Sequence, residues 1–164
     1  MSKKAPNYGN EPTYIVEPPK NSIKIRFRKL RDDAVTPVKA HPTDAGFDLT
    51  AVWSGWNNHE KVFEYGFGLA FEIPEGYVGL IFPRSSIYRK DLFLTNAVGV
   101  IDSGYRGEVT AKFKSTTDRL PDSYNVGDRV AQMIIIPYPE VEFEQTGTLS
   151  PSDRGNSGYG STGR

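Results

Sequence analysis

Ile23, Ile25 and Phe27 alternate with Lys24, Arg26 and Arg28, a two-residue period that sets apolar groups on one face of an extended chain and charges on the other. Short segments of this kind recur at residues 47–52, 68–73, 77–82, 98–101, 108–114, 129–137 and 141–143. Pro74-Glu75-Gly76 and Asn125-Val126-Gly127 separate neighbouring segments with residues suited to chain reversal. Only residues 85–92 offer a helix, and a short one. Many short strands between Gly/Pro turns predict an all-β sandwich, jelly roll or barrel. The nearly unbroken apolar run 130–136 predicts a strand buried on both faces, in a core or against another subunit.

The two ends differ from this middle. Residues 1–22 hold four prolines and little hydrophobic patterning, so they are expected to form a polar N-terminal arm ahead of one folded domain, 23–149. Residues 150–164 contain four glycines and four serines but no Leu, Ile, Val, Met or Phe. Such a segment buries too little apolar area to offset its ordering entropy. It is expected to be a glycine-rich flexible C-terminal tail that orders over a ligand. The chain's 164 residues suit one domain better than two.

Charge and residue types exclude several functions. Twenty Lys+Arg balance twenty Asp+Glu, so no overall field recruits nucleic acid or an anionic membrane. An anionic ligand has to be held by local arrangement. With no cysteine, disulfides, thiolate zinc sites and a cysteine nucleophile are excluded. His41 and His59 are isolated in sequence and suggest no metal cage. No run approaches the ~20 apolar residues of a membrane span, and the N-terminus lacks the apolar core of a secretory signal. A soluble, intracellular protein is expected.

Several short motifs carry chemistry. Pro83-Arg84-Ser85-Ser86 follows a strand and precedes the short helix, a place that suits either an anion or simple N-capping by a serine. Asp102 sits in the turn after an apolar strand, as an ordinary turn residue or as a general base at the lip of a sheet. Gly158-Tyr159-Gly160-Ser161-Thr162-Gly163 has the spacing of a dinucleotide fingerprint but no following helix. The tail is then either a solvated linker or a phosphate lid. As a lid it would offer Gly and Ser N–H groups, the charge of Arg154 and Tyr159 as a stacking plate.

The order of these motifs is more specific than any one alone. Ala45-Gly-Phe-Asp-Leu49, Pro83-Arg-Ser-Ser86, Asn96 through Gly107, Gly127-Asp-Arg-Val-Ala-Gln132 and Arg154 through Gly163 resemble the five ordered motifs of the trimeric dUTP pyrophosphatase (dUTPase) family. The resemblance covers the chain from Ile23 to its C-terminus. It implies a distorted β-jelly roll (β-clip), a homotrimer with active sites shared between subunits, and Mg2+-dependent hydrolysis of dUTP to dUMP and pyrophosphate. No direct protein ligand to the metal is implied. The localisation implied is cytoplasmic, or nuclear in a eukaryotic or viral setting.

The resemblance also implies residue roles. Asp102 resembles the general base that orients a water towards the α-phosphorus. Asn96 and the backbone of Gly99, Val100 and Ile101 resemble the reader of the uracil edge. Tyr105 resembles the residue packed under the deoxyribose, and Tyr159 the ring stacked on the base. Arg84, Ser85, Ser86, Gln132, Arg154, Gly160, Ser161 and Thr162 resemble the phosphate contacts. Asp48 resembles a first-motif residue tied to site architecture or metal-bound water. Ser86 stands where many members have glycine, and Gly104 where many have a second aspartate.

Two other readings follow from the same residues. A fold-related dCTP deaminase would need a glutamate at the position of Lys112. A non-catalytic trimer binding nucleotide or protein would be expected to lack Asp102, Asn96 or the tail. The N-terminal arm leaves room for a regulatory protein partner.

Overall fold

A computed structural model describes residues 22–119 and 121–156. Ten strands form within them: β1 Arg26–Lys29, β2 Phe47–Thr50, β3 Trp53–Asn57, β4 Val62–Gly66, β5 Leu69–Glu72, β6 Tyr77–Pro83, β7 Leu92–Leu94, β8 Gly99–Ile101, β9 Thr110–Ser115 and β10 Arg129–Pro137. They pair antiparallel as β1-β5, β2-β10-β6-β8 and β3-β4-β9-β7. Alternation along each strand sends one set of side chains inward. Leu49, Tyr65, Leu69, Ile81, Phe113 and Val130 join one core this way, together with Phe67 from the link between β4 and β5. The expected all-β jelly roll is the fold observed. Gly76 and Gly127 take positive φ, 79° and 94°, as the turn reading requires. No helix among the described residues is long and apolar enough to cross a membrane.

Three local expectations are corrected. The helix at 85–92 shrinks to a 3-10 helix, Ser85–Arg89, because Leu92 is drawn into β7 opposite Ser115. Residues 141–143 form no strand. Val141 and Phe143 are 62% and 96% exposed, since no strand among the described residues pairs with them. Residues 53–60 lie in the β3–β4 hairpin, as its first strand and the start of its turn.

The run 130–136 is a strand, yet within one chain it is not buried on both faces. Val130, Ala131 and Met133 are buried while Ile136 is 38% exposed. The reason is register: Ala131, Gln132 and Met133 lie between β2 and β6, whereas Ile134 to Pro137 pair with β6 alone.

Trp53 locks the hairpin to the region that follows β8. Its Nε1–H donates to Glu108 Oε1 at 2.8 Å, and the Gly68 N–H donates to the same oxygen at 2.8 Å. The indole crosses Gly66 so closely that a Cβ there would overlap the ring. Gly66→Ala is therefore expected to cost about 2–3 kcal/mol, read as a lower denaturant midpoint with an unchanged slope. A loss below about 0.5 kcal/mol would mean the indole moves aside freely.

Candidate active site

The turn after β7 shapes a cleft against β9. Thr95 donates to the Lys112 carbonyl through both its N–H and its hydroxyl, at 3.0 and 3.1 Å. Ala97 reverses the chain at φ 57°. β8 then lies on β6 with Gly99 opposite Ile81 and Ile101 opposite Gly79. A Cβ at Gly99 would stand 3.1 Å from Ile81 Cβ, so glycine permits the close approach. The cleft, of about 250 Å³, is lined by Asn96, Gly99, Val100 and Ile101 on one side and by Thr110 and Lys112 on the other. A second hollow of about 150 Å³ takes in Val100, Ile101, Asp102, Tyr105 and Thr110. Val100, Ile101 and Thr110 border both, so six residues singled out in the sequence converge on one stretch of surface.

Asp102 follows β8 directly and is exposed. Its carbonyl accepts the Tyr105 N–H at 3.1 Å, and the Tyr105 hydroxyl donates to the Glu108 carbonyl at 2.9 Å. A Cβ at Gly107 would sit 2.7 Å from Tyr105 Cζ, so glycine there lets the ring lie flat over the turn. Lys112 has its ammonium 2.8 Å from Glu60 Oε2. That hydrogen bond raises the Lys112 pKa above its ordinary value. A cation thus stands where deamination would need a carboxylate.

A second group gathers around Asp48, whose side chain is only 10% exposed. Arg84 Nε donates to Asp48 Oδ1 at 2.7 Å, and Arg129 Nη1 donates to Oδ2 at 2.9 Å. Strand order explains the meeting: Asp48 is opposite Gln132 on β10, and Pro83 at the end of β6 is opposite Ala131. Gln132 Nε2 donates to the Pro83 carbonyl at 3.1 Å, which anchors the chain just before Arg84. A Cβ at Gly46 would overlap the Gln132 amide oxygen. Two guanidiniums against one carboxylate leave a local positive surplus, the sign a phosphate needs. The 3-10 helix begins without a side-chain cap, so neither Ser85 nor Ser86 is spent on capping.

The two groups do not meet within one chain. Asp102 follows Ile101, which is level with Gly79 at one end of β6, while Arg84 follows Pro83 at the other end. Five residues of strand separate those levels by roughly 16 Å. Arg154 is exposed beside a turn in which Gly155 N donates to the Ser152 carbonyl at 3.0 Å. Tyr159, Gly160, Ser161 and Thr162, like the N-terminal arm up to residue 21, lie outside the described residues. Among the described residues no group of three or more His, Cys, Asp or Glu gathers as a metal cage.

Sequence reasoning passed over Arg129, although it lies inside the Gly127-to-Gln132 motif. The available signal was a second cation beside a motif already assigned to anions. It also passed over Glu108, whose bracing of Trp53 depends on a contact 55 residues distant and left no local trace.

The jelly roll thus carries a cleft of about 250 Å³, an exposed carboxylate in the hollow beside it and a separate arginine cluster. The dUTPase family model matches residues 32–163, and the chain belongs to the dUTPase family. The deoxyuridine 5'-triphosphate nucleotidohydrolase of Leifsonia xyli subsp. xyli is 39% identical over 128 residues, covering 77% of this chain and 84% of that protein. The protein of the same description from Thermobifida fusca is 36% identical, covering 87% and 80%. Among solved structures, the Staphylococcus bacteriophage 80alpha dUTPase with dUPNHPP has TM-score 0.68 and 27% identity, covering 87% of this chain and all of that one. A dUTPase from phage phi11 of S. aureus, described with a structural Mg(II) ion, has TM-score 0.65 and 25% identity, covering 77% and 99%.

Proposed function

We propose that this chain is a dUTP diphosphatase that hydrolyses dUTP to dUMP and pyrophosphate at sites shared between copies of itself in a homotrimer. The observation that carries the reading is the grouping of Asn96, Gly99, Val100, Ile101, Asp102 and Tyr105 around two hollows that share Val100, Ile101 and Thr110. Opposite them in the strand stands the Asp48-braced arginine cluster. A uracil in the cleft would meet Asn96 and the β8 backbone, and cytosine's reversed donors and acceptors would leave polar groups unpaired there. Tyr105 would lie under the sugar and leave no room for a 2′-hydroxyl.

Asp102 would accept the proton of a water aimed at the α-phosphorus, so the P–O bond to the departing pyrophosphate breaks as the new one forms. Arg84, Ser85, Ser86 and Gln132 of another copy would take the phosphates, because Arg84 of the same chain stands at the far end of β6. Exposed Val141, Phe143 and Leu149 support burial against other copies. Arg154, Gly160, Ser161 and Thr162 would close over the phosphates and Tyr159 over the base.

The chain's residues suit Mg2+ held chiefly by the triphosphate and its own waters. Asp48 accepts an arginine on each oxygen, which supports the architectural reading of it, and exposed Asp102 would be free to face such a water. When bound, Mg2+ would neutralise triphosphate charge.

Pyrophosphate release from dUTP, with dTTP, dCTP and UTP as controls, tests the reading; hydrolysis of all four alike would overturn it. Ammonia release from dCTP is expected to be absent. Deleting residues 150–164 is expected to leave the folded trimer intact and lower kcat/KM by about 10²-fold, because positioning and water exclusion are lost. Full activity in the truncated protein would remove the lid from the mechanism.

A further inference from the structure

The turn of the β3–β4 hairpin reaches the wall of the cleft. Asn57, the last residue of β3, accepts the N–H groups of His59 and Glu60 on its Oδ1, both at 3.0 Å. Lys61 then turns the chain at φ 57°. A side-chain oxygen that takes two N–H groups in this way fixes the shape of a turn. The turn carries Glu60 to β9, where its Oε2 lies 2.8 Å from the Lys112 ammonium. Lys112 stands opposite Glu64 in the β4–β9 pairing, and Glu64 Oε1 accepts the Thr110 hydroxyl at 3.1 Å. Thr110 and Lys112 are two residues apart on one strand, so they share a face of the sheet, and both line the cleft of about 250 Å³. The two hydrogen bonds from Thr95 to the Lys112 carbonyl tie this stretch of β9 to the turn that carries Asn96.

The Lys112 and Glu60 side chains are 39% and 46% exposed, and an ion pair so open to water adds little to stability. What the pair does is fix the place of a charge. An ammonium carries three N–H donors and no acceptor. Glu60 takes one of them, which leaves donors for a ligand in the cleft. The hydrogen bond from Glu60 also keeps Lys112 protonated, so the group stays a donor throughout the neutral range.

We propose that Lys112 is a specificity-determining residue of the base cleft: held at the wall by Glu60, its ammonium donates to the base carbonyl that cytosine replaces with an amino group. The proposal rests on the assignment of this cleft to the base. A carbonyl oxygen accepts from the ammonium. An amino group at the same place offers only N–H, and a cation that can accept nothing leaves the two donors opposed. Lys112 thus adds a charged donor to the contacts from Asn96 and the β8 backbone, and the hairpin tip acquires a role in keeping that donor in place.

The test compares wild type with Lys112→Met, Lys112→Arg and Glu60→Gln, reading calorimetric binding of dUMP and of dCMP together with denaturant unfolding. Lys112→Met keeps a stem of similar length and removes the charge. It is expected to bind dUMP about tenfold more weakly, the worth of one charge-assisted hydrogen bond, with no loss for dCMP. Its unfolding midpoint is expected to stay close to that of the wild type, because the ion pair is exposed. Lys112→Arg keeps a cation and is expected to recover most of the dUMP affinity. Glu60→Gln loosens the hold on the ammonium and is expected to fall between the two. An equal loss for both nucleotides in Lys112→Met, or a loss as large in Lys112→Arg, would overturn the proposal. If the wild type prefers dUMP and Lys112→Met keeps that preference, only this proposal falls. If the wild type binds neither nucleotide, or both alike, the assignment of the cleft to uracil falls and the role of Lys112 with it.

Discussion

Asp102→Asn is expected to lower kcat for dUTP by about 10³-fold, within the range a positioned general base supplies, while nucleotide binding stays near that of the wild type. The substitution keeps the size of the side chain and removes only its power to take a proton. Asp102 is exposed and follows β8 without a described side-chain hydrogen bond, so the fold has little to lose. The stability change is expected to stay within about 0.5 kcal/mol. Pyrophosphate release measures the first quantity, calorimetry with dUpNHpp the second and denaturant unfolding the third. A variant that keeps more than a tenth of wild-type turnover would take Asp102 out of the proton-transfer role.

Asp48→Ala has the larger effect on structure. The Asp48 carboxylate is 10% exposed and receives Arg84, 24% exposed, and Arg129, 50% exposed. Removing it leaves two guanidiniums facing each other, one of them mostly withdrawn from water. Breaking a fully buried pair costs about 3–5 kcal/mol. The partial exposure of both arginines lets solvent screen the loss, which brings the expected figure to about 2–3 kcal/mol.

Function should fall as well, because Arg84 loses the brace that aims it. KM for dUTP is expected to rise about tenfold, the worth of roughly one charge-assisted hydrogen bond. Arg129→Ala separates the two roles. It removes the more exposed partner and leaves the Arg84 pair intact, so its cost is expected to be about 1 kcal/mol or less. If Asp48→Ala unfolds at the wild-type denaturant midpoint, the three-residue cluster contributes nothing measurable.

Much of this protein was legible along the chain because its determinants are local. A strand's alternation and a turn's need for glycine depend on a few consecutive residues. Segments 47–52, 68–73, 77–82 and 129–137 accordingly appear as β2, β5, β6 and β10 with small boundary shifts. Asp102, Tyr105 and Gly107 also belong to one turn, so their cooperation could be read from their spacing.

What the sequence left open depends on which strands become neighbours. Residues 141–143 alternate like a strand yet pair with nothing among the described residues, since alternation states a preference and a sheet edge has to satisfy it. The Asp48, Arg84 and Arg129 cluster spans 81 residues between Asp48 and Arg129, and only the order β2-β10-β6 brings them together. The same topology sends Asp102 and Arg84 to opposite ends of β6. Local patterning therefore determined the strands, the turns and the candidate chemistry, each settled by interactions among nearby residues. Tertiary structure decided which charges meet and that the cleft at Asn96–Ile101 and the arginine cluster stand towards opposite ends of β6, because strand order and register are set by burial of the whole core.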